Sequence, residues 1–169
     1  MAQESGTVQD LFRRFGPRLR RAAAFLSSDA GEADELVQAT FAAAVEAWPQ
    51  FEGRSSPYTW LYSILLRLAR RERERSVREP QAVDSFELPA AVADPAEEAA
   101  LKEETQALRQ CLEELPQDHR EVLVLFYLES MRYRDIAEAV GVPIGTVKSR
   151  LYAAKQELAR RLGERGIEL

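Results

Sequence analysis

One cysteine and one histidine in a chain of 169 residues leave most covalent and metal chemistry without its parts. Cys111 alone can form neither an intrachain disulfide nor a cysteine zinc cluster, and it sits between Leu108 and Leu112 on a helical pattern, where it reads as a small buried residue. His119 has no companion histidine or cysteine, so it reads as a cap or surface residue in the first turn of its helix rather than a ligand. No GxGxxG or GxxxxGK[ST] phosphate loop and no histidine triad pattern occurs. Acidic residues are plentiful, but they fall on helix faces or in a linker rather than at breaks where a pocket would gather them. No catalytic residue, metal ligand or cofactor is therefore expected. No run approaches roughly eighteen uninterrupted apolar residues, and the N-terminus lacks a charged-then-apolar signal pattern. Membrane insertion is not expected, and the cytoplasm is the expected location.

Strand patterns are scarce as well. The one β-favouring run, Val122 to Leu128, fits a buried helix equally, and helical patterns flank it on both sides. The fold class read from the chain is all-α. Hydrophobic residues make up 46% of the sequence, normal for a globular protein, and eight prolines and eight glycines punctuate the helices. The net charge of -5 argues against a protein that coats nucleic acid nonspecifically. The charges are unevenly placed, however. Residues 51–80 carry seven basic against four acidic side chains, residues 81–118 carry two against ten, and residues 119–169 carry nine against seven. Two basic blocks flank an acidic one, and a DNA footprint depends on local potential rather than the total.

In chain order, Val8, Leu11, Phe12 and Phe15 recur at helical spacing; Gly16-Pro17 is expected to break or kink that run before Leu19 to Leu26 continue it. Arg13, Arg14, Arg18, Arg20 and Arg21 cluster here, as a solvated face or a surface near DNA or an acidic partner. Ala33, Leu36, Val37, Phe41, Ala44, Val45 and Trp48 form the apolar side of the next helix, which Pro49 stops. Its other side presents Asp34, Glu35, Gln38 and Glu46, suited to an Arg-rich partner or simply to water. The loop that follows has Phe51 as an anchor with Gly53, Ser55 and Ser56 at turn positions; it is either a plain linker or a receptor for an unstacked base. The helix after it begins apolar at Trp60, Leu61, Ile64, Leu65 and Leu68 and ends in Arg67, Arg70, Arg71, Arg73 and Arg75. Aromatics followed by arginines suit single-stranded DNA, where rings stack on bases and guanidiniums meet phosphates, although Trp60 and Tyr62 also fit a core.

Residues 77–96 hold Pro80, Pro89 and Pro95 without a stable period and read as a flexible linker between two small helical domains, 1–76 and 97–169. In the second domain a helix runs from about residue 95 to Leu115, and Pro116 starts the next. The stretch from Tyr133 to Leu158 reads as a helix-turn-helix. Ile136, Ala137 and Val140 form one apolar stripe, and Val147, Leu151, Ala154 and Leu158 form the next. Gly141 can take the left-handed dihedrals that end a helix, and Pro143 suits the first turn of the following one. The outward face of the second helix offers Lys148, Ser149, Tyr152 and Lys155, which the fold does not need and which can enter a major groove.

Two motif groups carry a resemblance over nearly the whole chain. ADELVQATF, then AW, FEG and WLYSI, resembles region 2, and LEELPQDHREVLVLFYLESMRYRDIAEAVGVPIGTVKSRLYAAKQEL resembles region 4, of the extracytoplasmic-function, or group 4, sigma factors of bacterial RNA polymerase. The resemblance implies a transcription initiation subunit, not an enzyme, which binds core RNA polymerase through the β′ clamp helices and the β flap. Asp34, Glu35, Leu36, Gln38 and Phe41 match the helix that grips the clamp; relatives most often have aspartate where this chain has Glu35. Phe51, Gly53, Ser55 and Ser56 match the loop that receives a flipped base of the melted -10 strand, an event that costs a few kcal/mol of unstacking. Arg67, Arg70, Arg71 and Arg75 follow it. Relatives usually have asparagine at Arg67 and an aspartate a few residues later where this chain has arginine, which strengthens the phosphate-contact reading of Arg70, Arg71 and Arg75.

Region 4 relatives read the -35 duplex at positions matching Lys148, Ser149 and Tyr152, with Arg132, Arg134, Thr146, Arg150 and Lys155 placed toward phosphates. Ala153 stands where arginine is common, which implies an altered -35 reading. An anti-sigma partner is also implied. Two other readings of the residues stay open at this point: an autonomous helix-turn-helix transcriptional regulator, which would bind duplex DNA without polymerase, and an interaction protein such as an anti-sigma mimic, which would bind without promoter dependence.

Overall fold

Thr7 opens the first helix by chemistry legible in the chain: its hydroxyl accepts from the Asp10 amide at 3.3 Å while the Asp10 carboxylate accepts from the Thr7 amide at 2.9 Å, a reciprocal cap of two orphan donors. A computed structural model describes residues 7–27, 30–78 and 105–167, and α1 runs over Val8–Leu26. It passes through Pro17 as one helix. The lost amide donor is tolerated because Leu11, Leu19, Ala22, Ala23 and Leu26 are all buried along one stripe and hold both halves of the helix to the same core. Phe12, counted in that stripe from spacing, is instead 52% exposed.

Helix α2, Ala30–Ala47, buries Ala33, Leu36, Val37, Phe41 and Ala44 and leaves Val45, at the edge of the stripe, exposed. A tight turn over Trp48–Gln50 ends it at the expected proline. Helix α3, Pro57–Arg78, starts where Ser56 accepts the Thr59 amide at 3.0 Å, and it continues two residues into the stretch assigned to the linker. The rest of that linker, residues 28–29, and the first part of the helix read from about residue 95, as far as residue 104, lie outside the described residues.

The C-terminal half has helix α4 over residues 105–113, α5 over Gln117–Leu123, α6 over Tyr133–Val140 and α7 over Ile144–Glu164. The Val122 to Leu128 run is helical, but its end is not ordinary: Val124–Leu128 winds as a π turn, with the Glu129 amide donating to the Val124 carbonyl at 3.1 Å and the Met131 amide to Leu125 at 3.0 Å. The wider turn rotates Glu129 inward, toward α1 and α3. Gly141 ends α6 at φ +76°, where its amide bonds to the Ala137 carbonyl at 2.9 Å, and Pro143 precedes α7.

The two halves share a core. Leu19, Leu61 and Leu65 of the first belong to one continuous buried cluster with Val122, Leu125, Ile136 and Val147 of the second. Helix α3 packs on α6, and α1 packs on the π turn. A smaller cluster of Leu112, Leu115, Leu123 and Ala154 seats α4 and α5 on α7, and Phe25 of α1 touches it. Cys111 is fully buried beside it, as its apolar neighbours suggest.

The Gly141 turn gives a direct test. A Cβ there would meet nothing within 4 Å, so any penalty comes from the left-handed backbone alone. Gly141→Ala is expected to lower the unfolding free energy by about 1–2 kcal/mol in urea titration, and an unchanged midpoint would show that the turn accepts another geometry.

Candidate nucleic-acid interface

Helix α7 has two chemically distinct sides. Val147, Leu151 and Ala154 are buried against α5 and α6, whereas Lys148, Ser149, Tyr152 and Lys155 face outward, Tyr152 at 70% exposure. The Lys148 ammonium lies 5.8 Å from the Tyr133 ring centroid, and Tyr133 stacks on Phe126 at 5.3 Å. That stack orients one cation at the foot of the outward face without neutralising it. Ser149 donates back to the Thr146 carbonyl at 3.0 Å, keeping its lone pairs outward.

Three of the cations expected to meet phosphates are not equivalent here. Arg134 is exposed. Arg132 is held by Asp135, its Nε at 2.8 Å, and that carboxylate keeps the guanidinium pKa above its ordinary value. Arg150 is drawn to Asp118 at the start of α5, 3.1 Å away, with its side chain only 25% exposed. In this structure it ties α7 to α5, and the positions of the pair differ by 32 in sequence, so no local pattern announces it.

In the N-terminal half, Trp48 stacks on Phe51 at 5.1 Å and Phe51 meets Trp60 at 5.0 Å. The loop from Gln50 with the start of α3 surrounds an open cavity of about 240 Å³, lined by Phe51, Glu52, Arg54, Ser55, Thr59, Trp60 and Ser63. Gly53, at φ +69°, turns the chain around its rim. Ser56 is the cap of α3 and shares a hydrogen bond with Thr59 at 2.9 Å, so its hydroxyl is spent on the helix start. Tyr62 is fully buried, which removes it from any stacking surface, while Trp60 keeps part of its ring at the cavity. Arg67 and Arg71 are exposed, and Arg75 pairs with Glu72 on the surface at 3.1 Å.

Arg70 is engaged. Its Nε and Nη2 donate to the two oxygens of Glu121 at 2.8 and 2.5 Å, a bidentate fork to a carboxylate with no exposed side-chain surface. Nearby, Glu129 is gripped from two helices. Arg18 donates to its carboxylate at 3.1 Å and to its carbonyl at 3.0 Å, Arg21 stands 3.6 Å away, and the Tyr58 hydroxyl donates to it. Burial first, and then the neighbouring carboxylate, push the Tyr58 hydroxyl far above its ordinary pKa, so it acts as a donor. The Arg18 guanidinium also lies 4.5 Å over the Tyr58 ring. Part of the α1 arginine cluster thus meets acidic groups of its own chain, Arg20 included, through Asp34 at 2.6 Å.

On α2, Asp34, Glu35 and Gln38 reach solvent, but Leu36 and Phe41 are each 7% exposed and packed in the core. Those two support the surface from below; they do not form it, because the stripe that makes α2 amphipathic runs through both. Residues that local patterns did not single out are Arg54, Thr59 and Ser63 at the cavity, and Glu121, Glu129 and Glu138 across the seam. Only tertiary contact brings these acidic groups to the basic helices.

Comparison with known proteins follows the same division. The model of sigma-70 region 2 matches residues 11–79 and that of sigma-70 region 4 matches residues 105–158. The chain is 35% identical over 152 residues to the ECF RNA polymerase sigma factor EcfG of Rhodopseudomonas palustris, spanning 90% of this chain and 83% of that protein. It is 34% identical over 144 residues to the RNA polymerase sigma-H factor of Pseudomonas aeruginosa, spanning 79% and 75%. Its fold is similar to that of the sigma factor RpoE of Bartonella quintana, solved in complex with the anti-sigma factor NepR: TM-score 0.73, 28% identity, 92% of this chain and 96% of that one.

The two sides of α7 separate in a stability measurement. Lys148→Ala and Tyr152→Ala are expected to change the unfolding free energy by no more than about 0.5 kcal/mol, whereas Leu151→Ala is expected to cost about 2–4 kcal/mol. Urea titrations of the three variants check it; a large loss for Tyr152→Ala would place that ring in the fold.

Proposed function

The chain belongs to the ECF sigma factors of RNA polymerase, and from that premise we propose how its surfaces divide the work of directing the polymerase to specific promoters. It is an initiation subunit, and the polymerase performs the chemistry. The observation that carries the assignment of surfaces is α7, a helix whose buried stripe fixes its position while its solvent face holds cations, a hydroxyl and an aromatic with no partner demanded by the core. Lys148, Ser149 and Tyr152 read base edges of the -35 duplex, where a good bidentate pair discriminates by about 1–3 kcal/mol. Arg132, Arg134, Thr146 and Lys155 set register on phosphates, and Arg150 joins them when it releases Asp118.

The cavity beside Phe51 and Trp60 takes an unstacked base of the -10 strand, with Ser55 at its wall, while Gly53 turns the rim and Ser56 fixes the start of α3. Arg67, Arg70, Arg71 and Arg75 run along α3 and track the strand's phosphates, in the combination of stacking platform and basic groove that single strands require. Asp34, Glu35 and Gln38 on α2 meet the polymerase clamp, with Leu36 and Phe41 holding that helix in place. The β flap, the second polymerase contact, meets the C-terminal half.

An anti-sigma factor is a further partner. A relative 28% identical to this chain was solved with one, and an open apolar groove of about 460 Å³, lined by Phe25 with Leu108, Leu112, Leu123, Tyr127 and Leu158, supports binding of an amphipathic helix across both halves. All these partners are reached in the cytoplasm.

Co-purification with core polymerase and promoter run-off test the proposal together. The chain is expected to associate with core at low salt and give discrete transcripts, and Tyr152→Ala is expected to weaken -35-dependent initiation about 5- to 100-fold, the equivalent of about 1–3 kcal/mol. Failure to associate with core, or tight sequence-specific duplex binding with no effect on transcription by core, would sink it.

A further inference from the structure

Both lysines on the outward face of α7 are held by rings rather than by carboxylates. The Lys148 ammonium lies 5.8 Å from the Tyr133 ring centroid, and the Lys155 ammonium lies 6.0 Å from that of Tyr127. The two tyrosines lean on one side chain. Tyr133 stacks on Phe126 with the rings 7° from parallel at 5.3 Å, and Tyr127 meets Phe126 edge-on at 5.0 Å. Phe126 is half-buried against the main core, so it is the fixed member of the set. The backbone bends to allow this. Ser130 stands at φ +53°, a conformation that L side chains rarely adopt, and it turns the chain between the π turn and α6 so that Tyr133 comes back over Phe126.

Core packing does not account for the tyrosines, since Tyr127 is 55% exposed and Tyr133 38%. Positions 148 and 155 are seven apart, two turns of helix, so both cations emerge on one side with Tyr152 between them. The kind of partner decides what each cation can do. Arg132 and Arg150 are held by Asp135 and Asp118, and a phosphate must displace those carboxylates to reach them. A ring face attracts a cation without cancelling its charge or occupying the phosphate's place. The lysines are thus restrained and still available. A free lysine side chain must be ordered when it meets DNA, and one already held has fewer states to lose.

We propose that Tyr133 and Tyr127 are positioning residues for duplex binding: through Phe126 they tie Lys148 and Lys155 to the core, so that both cations meet the -35 DNA already oriented. This rests on the reading of the α7 face as the -35 surface. The ring, not the hydroxyl, is the working part. Loss of a ring lowers the fraction of molecules with the cation in place, and the apparent affinity falls by that fraction. An exposed cation–π contact shifts an equilibrium by a factor of about two to five, which sets the size of the effect at each lysine.

The test is abortive initiation by core polymerase carrying the full chain, on the promoter that supports run-off, with promoter concentration varied. Lys148→Met and Tyr133→Leu are each expected to raise the half-saturating promoter concentration, the tyrosine variant by about two- to fivefold, at an unchanged maximal rate. Tyr133→Phe keeps the ring and is expected to match the parent. In the Lys148→Met background Tyr133→Leu is expected to add nothing, because the side chain it positions is gone. Tyr127→Leu, Tyr127→Phe and Lys155→Met repeat the comparison at the second pair. If Lys148→Met and Lys155→Met both leave the half-saturating concentration where it was, the reading of the face falls and the positioning falls with it. A loss in the lysine variants with none in Tyr133→Leu or Tyr127→Leu overturns the positioning alone. So does a Tyr133→Leu loss that persists at full size in the Lys148→Met background, which marks a structural role, or a Tyr133→Phe loss as large, which marks the hydroxyl as the contact.

Discussion

A carboxylate removed from water must be met by whatever packs on it, and Glu129 is met by groups more than seventy residues away. Arg18 and Arg21 come from α1 and Tyr58 from α3, so satisfying one buried side chain brings three helices to one point. The π turn that precedes Glu129 is what delivers it there, since an ordinary helical turn would point the residue elsewhere. Glu121 repeats the arrangement one helix earlier with Arg70. Between them the apolar faces of α3 and α6 close, and the core becomes continuous from Leu19 to Val147. The order of causes matters: the apolar contact supplies the stabilisation, and the ion pairs fix the register in which it forms.

This division also explains why the surfaces proposed for promoter recognition differ so much in the closed molecule. The α7 face is held from behind by Val147, Leu151 and Ala154, and no acidic side chain among the described residues pairs with its Lys148 or Lys155. The α3 surface sits at the seam, so its Arg70 and its cavity are shared with Glu121 and Glu138. The face proposed for the duplex lies open, whereas the face proposed for the strand shares Arg70 with Glu121 of the other half.

Much of the fold was legible because helices announce themselves locally. The proline stop at Pro49, the starts at Pro116 and Pro143, and the Gly141 turn are all decided by residues within one turn of each other. Periodicity named most of the core as well, and where it erred it erred at stripe edges: Phe12 and Val45 are exposed because a stripe has two margins and only one neighbour to cover each. Gly16-Pro17 was a weaker signal than it looked. A proline costs a helix one donor, and a stripe buried on both sides of it outweighs that loss. The α2 surface shows the opposite limit, since a motif that marks Leu36 and Phe41 beside Asp34, Glu35 and Gln38 does not say which of them face inward.

What the amino-acid order determined by itself is the helical class, the helix-turn-helix with its outward Lys148, Ser149 and Tyr152, the basic run on α3, and through two motif groups the sigma-factor family. Each of these depends on spacing within a few turns or on a pattern preserved along the chain. The tertiary structure alone decided which cations are paired among the described residues. Arg67, Arg71 and Arg134 are exposed; Arg70, Arg18 and Arg150 are bound to Glu121, Glu129 and Asp118. An ion pair depends on where two side chains meet in space, and when their positions differ by 51 or 111 no local pattern carries that information.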